Sequence, residues 1–296
     1  MRLEWEAARD AEVYDAWATI TVIVVALVLS VQSFQGADFA LLIPHHSAMP
    51  REFWRHLTAG FLHGGWLHLV MNVLWMLQLG ALAEALLGLT AYSVLVVALA
   101  MLSSMAQWVL SGPGIGLSGV VYGLFGLLWA LDRWHPACRG VMNKRTADFF
   151  GAWFLFCVLA SWQGWMRIGN AAHGAGFLFG ALTGWALAAG GGRRWWRFGA
   201  AGAGALLLAV LQVPAARHVV NRSGAYDREL FGRGVERIEA GDLAGAIELY
   251  EELTRRAPRM GRAWHNLAYA YQEAGRFEEA RAAAGRALEL EEVPSE

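Results

Sequence analysis

The chain has 296 residues, of which 56% are hydrophobic and 17% charged, and its mean hydropathy is +0.35. This balance excludes an ordinary soluble globular domain of this length. A net charge of −1, without a stripe of basic and aromatic residues, argues against a nucleic-acid-binding function. Most of the charge lies in the first 16 residues, in short connectors and after Arg217, which leaves a long apolar middle region.

Seven apolar stretches lie between Trp17 and Pro214, and each predicts a membrane helix. They cover residues 17–34, 66–87, 91–110, 117–131, 149–165, 168–189 and 198–214. A membrane span needs roughly 17–25 apolar residues, so the fourth and seventh stretches are short and the others fit. The predicted fold class is therefore all-α, a polytopic membrane helical bundle.

The basic residues of the connectors predict the orientation of this bundle. Seven of them lie in two connectors that share one side of the membrane: Arg133, Arg139, Lys144, Arg145, Arg193, Arg194 and Arg197. Because lysine and arginine favour cytoplasmic loops, this side and the N-terminus are predicted to be cytoplasmic. The starts of the second, fourth and sixth stretches then face outward.

Four polar residues lie near those outward starts. Ser118 belongs to the sequence Gly-Ile-Gly-Leu-Ser-Gly at 114–119, His68 and Asn72 lie in the second stretch, and His173 lies in the sixth. Since successive crossings alternate in direction, these residues converge at a similar depth. Burying ionisable groups in lipid is costly and usually functional, so this arrangement indicates a catalytic site.

Ser118 is predicted to be a nucleophile and His173 its general base. A neutral imidazole within reach would take the hydroxyl proton and return it to a leaving amine. The core stretches hold no aspartate, and Glu84 lies near the cytoplasmic end of the second stretch, so we expect a Ser–His dyad. Tyr122 lies one helical turn after Ser118 and could orient the imidazole by packing against it.

The negative oxygen of a tetrahedral intermediate needs hydrogen-bond donors. His68 and Asn72 form an i, i+4 pair, and Asn72 brings an amide NH2 group. Backbone N–H groups around Leu117 and Ser118 could add to them. Glycines on the fourth and sixth stretches would let these two helices approach closely; they are Gly116, Gly119, Gly123, Gly126, Gly176, Gly180 and Gly184.

Residues 17–190 resemble the rhomboid family of intramembrane serine proteases. The segment 116–119 fits the family's Gly-x-Ser-Gly motif, and residues 172–180 fit its Ala-His-x-x-Gly-x-x-x-Gly helix. The other matching features are the His68/Asn72 pair preceded by His63, the tyrosine Tyr122, and the Trp54-Arg55 pair of the first outward loop.

This resemblance implies a six-helix core with a water-filled cavity that opens outward. It implies that Ser118 and His173 cleave transmembrane proteins near their outer membrane boundary, with His68 and Asn72 near the oxyanion. No metal or cofactor is expected. The alternatives are a non-catalytic rhomboid-like chaperone or adaptor, and a small-molecule transporter. Relatives without activity lose the serine or the histidine, whereas this chain retains both.

Residues 227–294 contain an internal repeat of 34 residues, seen as Gly241-Asp242-Leu243 and again as Gly275-Arg276-Phe277. Its spacing resembles the tetratricopeptide repeat, a helix–turn–helix unit of 34 residues. Two units are fewer than the three usually needed for a stable array, so we expect the domain to lean on the membrane core, to self-associate or to cap a protein partner. The predicted organisation is a cytoplasmic tail at 1–16, a six-helix core at 17–190, a basic connector and seventh helix at 191–222, and repeats at 223–296.

The side on which the repeats lie depends on the seventh stretch. If residues 198–213 cross the membrane, the repeats lie outside, on the same face as Ser118. The alternative is a helix lying on the cytoplasmic surface, but this stretch has only Gly, Ala and Gln212 to form a polar face. We therefore expect an integral membrane protein, in a bacterial plasma membrane, with an outward-facing site and outward repeats.

Overall fold

The structure is a computed structural model that describes residues 15–46, 51–189 and 192–291. The chain forms two compact units, Met1–Asn221 and Arg222–Glu296. All regular secondary structure in the described residues is helical, so the predicted all-α class is confirmed. Most of the predicted N-terminal tail, residues 1–14, lies outside the described residues.

The first unit consists of nine α-helices within the described residues. They are α1 (Trp17–Phe34), α2 (Arg55–Thr58), α3 (Trp66–Leu87), α4 (Leu89–Leu110), α5 (Ser118–Trp134), α6 (Lys144–Trp162), α7 (Asn170–Leu187), α8 (Gly192–Leu211) and α9 (Pro214–Val220). By length and composition, α1, α3 and α4 could each cross a membrane. A π-helical turn, Met76–Gly80, interrupts α3, and Gly88 joins α3 to α4 with a φ of +76° that suits glycine.

The start of the seventh helix differs from the sequence prediction. Residues 191–197 were expected to form a basic connector, but α8 already begins at Gly192. The arginines of its first turns bind the end of the preceding helix α7: Arg194 donates to Ala189 O at 3.3 Å, and Arg197 donates to Trp185 O at 2.7 Å. The helix begins early because these side chains satisfy carbonyl groups that the end of α7 leaves unpaired.

Helices α5 and α7 pack backbone against backbone. A Cβ atom at Gly176 or Gly180 would overlap the carbonyl oxygen of Gly119 or Gly123, and one at Gly126 would overlap that of Phe177. Only glycine permits this approach, as the sequence predicted for these positions. The contact fixes the start of α5 against the start of α7.

A buried carboxylate joins α1, α3 and α4. Glu84 accepts hydrogen bonds from the backbone N–H groups of Ala18 and Thr19 at 2.9 Å and from Thr19 Oγ1 at 2.8 Å. The Tyr92 hydroxyl lies 2.9 Å from Thr19 Oγ1. Because each polar group has a partner, the core accommodates them inside an apolar bundle.

The second unit is formed by two helix pairs. Its helices are α10 (Gly224–Glu239), α11 (Leu243–Arg256), α12 (Gly261–Glu273) and α13 (Phe277–Glu291). Each pair turns at a glycine with positive φ, Gly241 at +74° and Gly275 at +76°. Leucine, alanine and tyrosine side chains fill the interior, and the ring of Tyr250 packs against Gly234.

Candidate active site

Ser118 is the first residue of α5, at the end of a loop that glycine shapes. Gly116 has a φ of +107°, and its N–H donates to Ala59 O at 3.1 Å, which attaches the loop to the turn after α2. Ser118 Oγ lies 2.9 Å from His173 Nε2. The structure therefore brings the predicted nucleophile and the predicted base into hydrogen-bond contact.

Packing orients the His173 imidazole. Its ring is stacked on that of Tyr122, with ring centroids 4.5 Å apart and an angle of 18° between the planes. The side chain is buried, and its Nδ1 atom has no hydrogen-bond partner among the described residues. The tyrosine ring and the close contact of α5 with α7 therefore hold the imidazole in place, where a catalytic triad would have a carboxylate.

The predicted donors lie beside the serine loop. The His68 ring fills the space over Gly116, where a Cβ atom would come within 2.5 Å of His68 Cε1. Asn72 is buried, and its Nδ2 donates to His68 O at 2.8 Å, one turn earlier in the same helix. An amide nitrogen carries two hydrogens, so one remains for another acceptor.

The Leu117 N–H group has a different partner from the one expected. It faces His63 Nε2 at 3.4 Å, and His63 Nδ1 lies 3.0 Å from Ser30 Oγ, which donates to Phe61 O at 3.1 Å. This chain of donors is consistent when Nδ1 of His63 carries the proton and Nε2 accepts. Leu117 therefore supports the loop, and its N–H is not directed at an oxyanion.

Sequence reasoning missed Gln107, which touches both sides of the site. Gln107 Oε1 accepts a hydrogen bond from the N–H of Ala172, the residue before His173, at 3.2 Å. A Cβ atom on Gly114 would come within 2.8 Å of the Gln107 Cγ atom, so the two residues pack closely. The available signal was a glutamine near the end of an apolar span, since such a group needs a partner when buried.

The Trp54-Arg55 pair lies outside this cluster. Arg55 is buried and donates to the carbonyl oxygens of Ala40 and Ile43, each at 3.2 Å, and it forms an ion pair with Glu52. Trp54 is exposed. These contacts fold the long connector between α1 and α3 over itself, so Arg55 is a structural residue of the connector.

Comparisons with known proteins agree with this structure. Residues 50–190 match the rhomboid domain family, and residues 237–292 match a tetratricopeptide repeat family. The chain is 35% identical to the rhomboid protease GlpG of Salmonella paratyphi A over 161 residues, which are 53% of this chain and 57% of that protein. It is 34% identical to the GlpG proteins of Salmonella choleraesuis and Salmonella typhi, over 54% and 53% of its length and over 58% and 57% of theirs.

These matches confirm the two predicted resemblances. Residues 50–190 are similar to rhomboid domains and residues 237–292 to tetratricopeptide repeats, and the relatives that share the first region are named rhomboid proteases. With its apolar helices, it is an integral membrane protein. The chain spans little more than half of the length of the curated relatives it matches.

Proposed function

We propose that this chain is an intramembrane serine protease that hydrolyses peptide bonds in or near the transmembrane segments of other membrane proteins. The observation that carries this proposal is the 2.9 Å contact between Ser118 Oγ and His173 Nε2 within a bundle of apolar helices. A hydroxyl group is a weak nucleophile until a base takes its proton, and imidazole is the most common base for this purpose.

In the proposed reaction, Ser118 Oγ attacks the carbonyl carbon of the scissile bond while its proton passes to His173 Nε2. The tetrahedral intermediate collapses when Nε2 gives this proton to the departing amine, and the carbonyl side of the substrate stays on Ser118 as an ester. Water then attacks the ester with the same imidazole as base, which releases the acid and restores the serine.

The negative oxygen of the intermediate would lie near the start of α5. The N–H of Ser118 belongs to the first helical turn and has no partner within the helix. Asn72 has a second amide hydrogen, and His68 lies against Gly116, next to the serine loop. Each donor of this kind is typically worth about 2.7–4 kcal/mol of the barrier. Asn72→Ala should therefore reduce turnover strongly without abolishing it.

The contacts of α8 favour the outward placement of the repeats. Its start binds the end of α7 through Arg197 and Trp185, whereas Gln212, just after its end, binds His56 in the connector before α3. The end of α7 and the start of α3 are at opposite ends of their alternating spans, so α8 follows the full depth of the bundle. We infer that the chain leaves the first unit at the end of the bundle where Ser118 lies, which supports the outward placement of the repeats.

Turnover of a single-span fluorescent substrate in proteoliposomes tests this proposal. Ser118→Ala and His173→Ala should each lower kcat by at least about a thousandfold, because the nucleophile and its base act as a unit. Ser93→Ala is the matched control, since Ser93 is partly exposed and bonds to Leu89 O in its own helix. Folding of each variant is checked by thermal unfolding in detergent.

Turnover by folded Ser118→Ala at the rate of the unaltered protein would overturn the dyad. If the unaltered protein bound transmembrane proteins but cleaved none of a panel, the chaperone or adaptor function would replace the protease. Comparing membrane proteomes of cells that carry the active protein or Ser118→Ala would then identify the substrates.

A further inference from the structure

The segment after the rhomboid domain makes buried polar contacts with the last turn of α4. Arg217 Nε donates to Trp108 O at 3.0 Å, and its guanidinium carbon lies 3.8 Å from the centre of the Trp108 ring. Asn221 Nδ2 lies 3.1 Å from Ser111 O and 3.4 Å from Trp108 O. Arg217 and Asn221 are both at most 4% exposed.

These contacts close the C-terminal end of a membrane helix. The last carbonyl groups of a helix have no partner within it, and a cation near them is favourable. In α4 the carbonyl of Trp108 is one of these groups, and α9 and the residue after it supply the donors. We call Gln212, Arg217 and Asn221 the C-terminal clamp.

The other side of the same helical turn faces the active site. Gln107 precedes Trp108 in sequence, accepts the N–H of Ala172 at 3.2 Å and packs against Gly114. Ala172 precedes His173, and Gly114 lies four residues before Ser118. A displacement of this turn therefore moves supports of both the base and the nucleophile.

A second set of contacts runs through His56. The His56 side chain is buried, with Nε2 2.9 Å from Gln212 Oε1 and Nδ1 3.0 Å from Ser104 Oγ on α4. The turn that follows His56 includes Ala59, whose carbonyl binds the N–H of Gly116. The end of α8 is thus joined to the serine loop from a second direction.

We propose that Arg217 and Asn221 are positioning residues for the Ser118–His173 dyad, and that Gln212 adds to their effect through His56. This inference rests on the proposed protease function. The clamp holds the last helical turn of α4. Gln107 in that turn contacts Ala172, next to the base, and Gly114, in the loop before the nucleophile. Because catalysis is sensitive to displacements near 1 Å, loosening the clamp should lower the rate of acylation more than it lowers substrate binding.

The other end of α8 offers a matched structural control. Arg197 donates to Trp185 O at 2.7 Å, and its guanidinium carbon lies 3.9 Å from the centre of the Trp185 ring. This is the same arrangement as that of Arg217 on Trp108, but at the end of the bundle away from Ser118. If the clamp only stabilised the fold, Arg197→Ala and Arg217→Ala would have equivalent effects on turnover.

The test compares full-length Arg217→Ala, Asn221→Asp and Arg197→Ala in three measurements. These are the thermal midpoint, kcat and KM for a single-span substrate, and the rate at which a fluorophosphonate labels Ser118. We expect Arg217→Ala and Asn221→Asp to lower kcat and the labelling rate about tenfold, with KM changed less than twofold. Arg197→Ala should lower the thermal midpoint about as much as Arg217→Ala does, but its kcat should stay within twofold of that of the unaltered protein.

A conservative variant and a weaker variant complete the design. Arg217→Lys keeps a cationic donor for Trp108 O and should recover part of the lost kcat. Gln212→Ala should lower kcat less than Arg217→Ala does. It replaces Arg217→Ala or Asn221→Asp in the test if either of these variants fails to fold. Folded Arg217→Ala and Asn221→Asp with unaltered kcat, or an equal loss in Arg197→Ala, would overturn this inference. An unaltered protein that neither cleaves nor is labelled at Ser118 would instead overturn the protease proposal.

Discussion

The helices of the two units pack through different kinds of contact. In the first unit, α5 and α7 meet through glycines whose backbones touch, and large apolar residues such as Leu74 and Leu155 are exposed. In the repeat unit, Tyr250 and Leu253 are fully buried, and charged pairs such as Arg286 and Glu289 lie outside. Lipid supplies no hydrophobic drive between helices, so close backbone contact there adds to the packing of buried side chains.

The two kinds of packing differ in how precisely they hold the side chains around them. Backbone contact leaves no freedom between α5 and α7, so it fixes Ser118 against His173 with little tolerance. The repeat unit holds its helices together by side chains, which can be exchanged for others of similar volume at a small loss of stability. Each of the predictions below changes one kind of packing contact, and the two glycine substitutions are compared with a matched position.

The largest effect is expected at the glycine contact. Gly180→Leu would place side-chain atoms in the position of the Gly123 carbonyl, so α5 and α7 could not close. We expect loss of the folded bundle, or a loss of stability above about 3 kcal/mol, together with loss of turnover. Gly151→Leu is the control, because a Cβ atom on Gly151 would have no neighbour within 4 Å. Thermal unfolding in detergent and labelling of Ser118 measure both variants.

A smaller loss is expected at the buried carboxylate. Glu84→Gln keeps the shape of the side chain but replaces one acceptor by an NH2 group facing donors on Ala18 and Thr19. We expect a loss of about 2–3 kcal/mol, since a buried donor then lacks its partner. Unfolding in detergent measures this loss. A Glu84→Gln protein as stable as the unaltered one would show that the network does not hold α1 in place.

Within the repeat unit, the corresponding test is Gly234→Ala. A Cβ atom there would come within 2.5 Å of the Tyr250 ring, whereas one on Gly232, in the same helix, would meet nothing within 4 Å. We expect Gly234→Ala to cost about 1–2 kcal/mol, because a side chain can move where a backbone cannot. Gly232→Ala should be neutral or stabilising. Hydrogen exchange of peptides from 224–291 separates this unit from the rest, and equal exchange in the two variants would contradict the prediction.

The smallest effect is expected at the exposed charges. The Arg286–Glu289 pair has side chains that are 48% and 65% exposed. Glu289→Gln should change the stability of the repeat unit by less than about 1 kcal/mol, because water screens such pairs. If the same hydrogen-exchange measurement showed a loss of stability larger than that of Gly234→Ala, the exposed ion pair would stabilise this unit more than the packing of Tyr250 does.

Sequence patterns predicted which segments are helical and that Ser118 and His173 lie close together. The first two apolar stretches coincide with α1 and α3, and the motifs around Ser118 and His173 fall at helix starts. Apolar length, glycine spacing and motif positions are local properties, so one chain is enough to see them. The start of the seventh helix could not be seen, because it depends on arginines binding a neighbouring helix.

The supports of the site are non-local and were missed for that reason. Gln107 and Ala172 are 65 residues apart, and Arg217 and Trp108 are 109 apart. The N–H of Leu117 was expected near the oxyanion but faces His63, which lies in a different connector, and the sequence alone does not show that contact. Single polar residues in apolar spans were the available signal, and their partners required the structure.

The most direct test of the account is the location and rate of serine modification. The full-length protein is treated with a fluorophosphonate, digested, and mapped by mass spectrometry. We expect one adduct, on Ser118, which forms at least about a hundredfold more slowly in His173→Ala because the base is lost. An adduct on another serine, or an equal rate of labelling in His173→Ala, would contradict the claim that this histidine activates this serine.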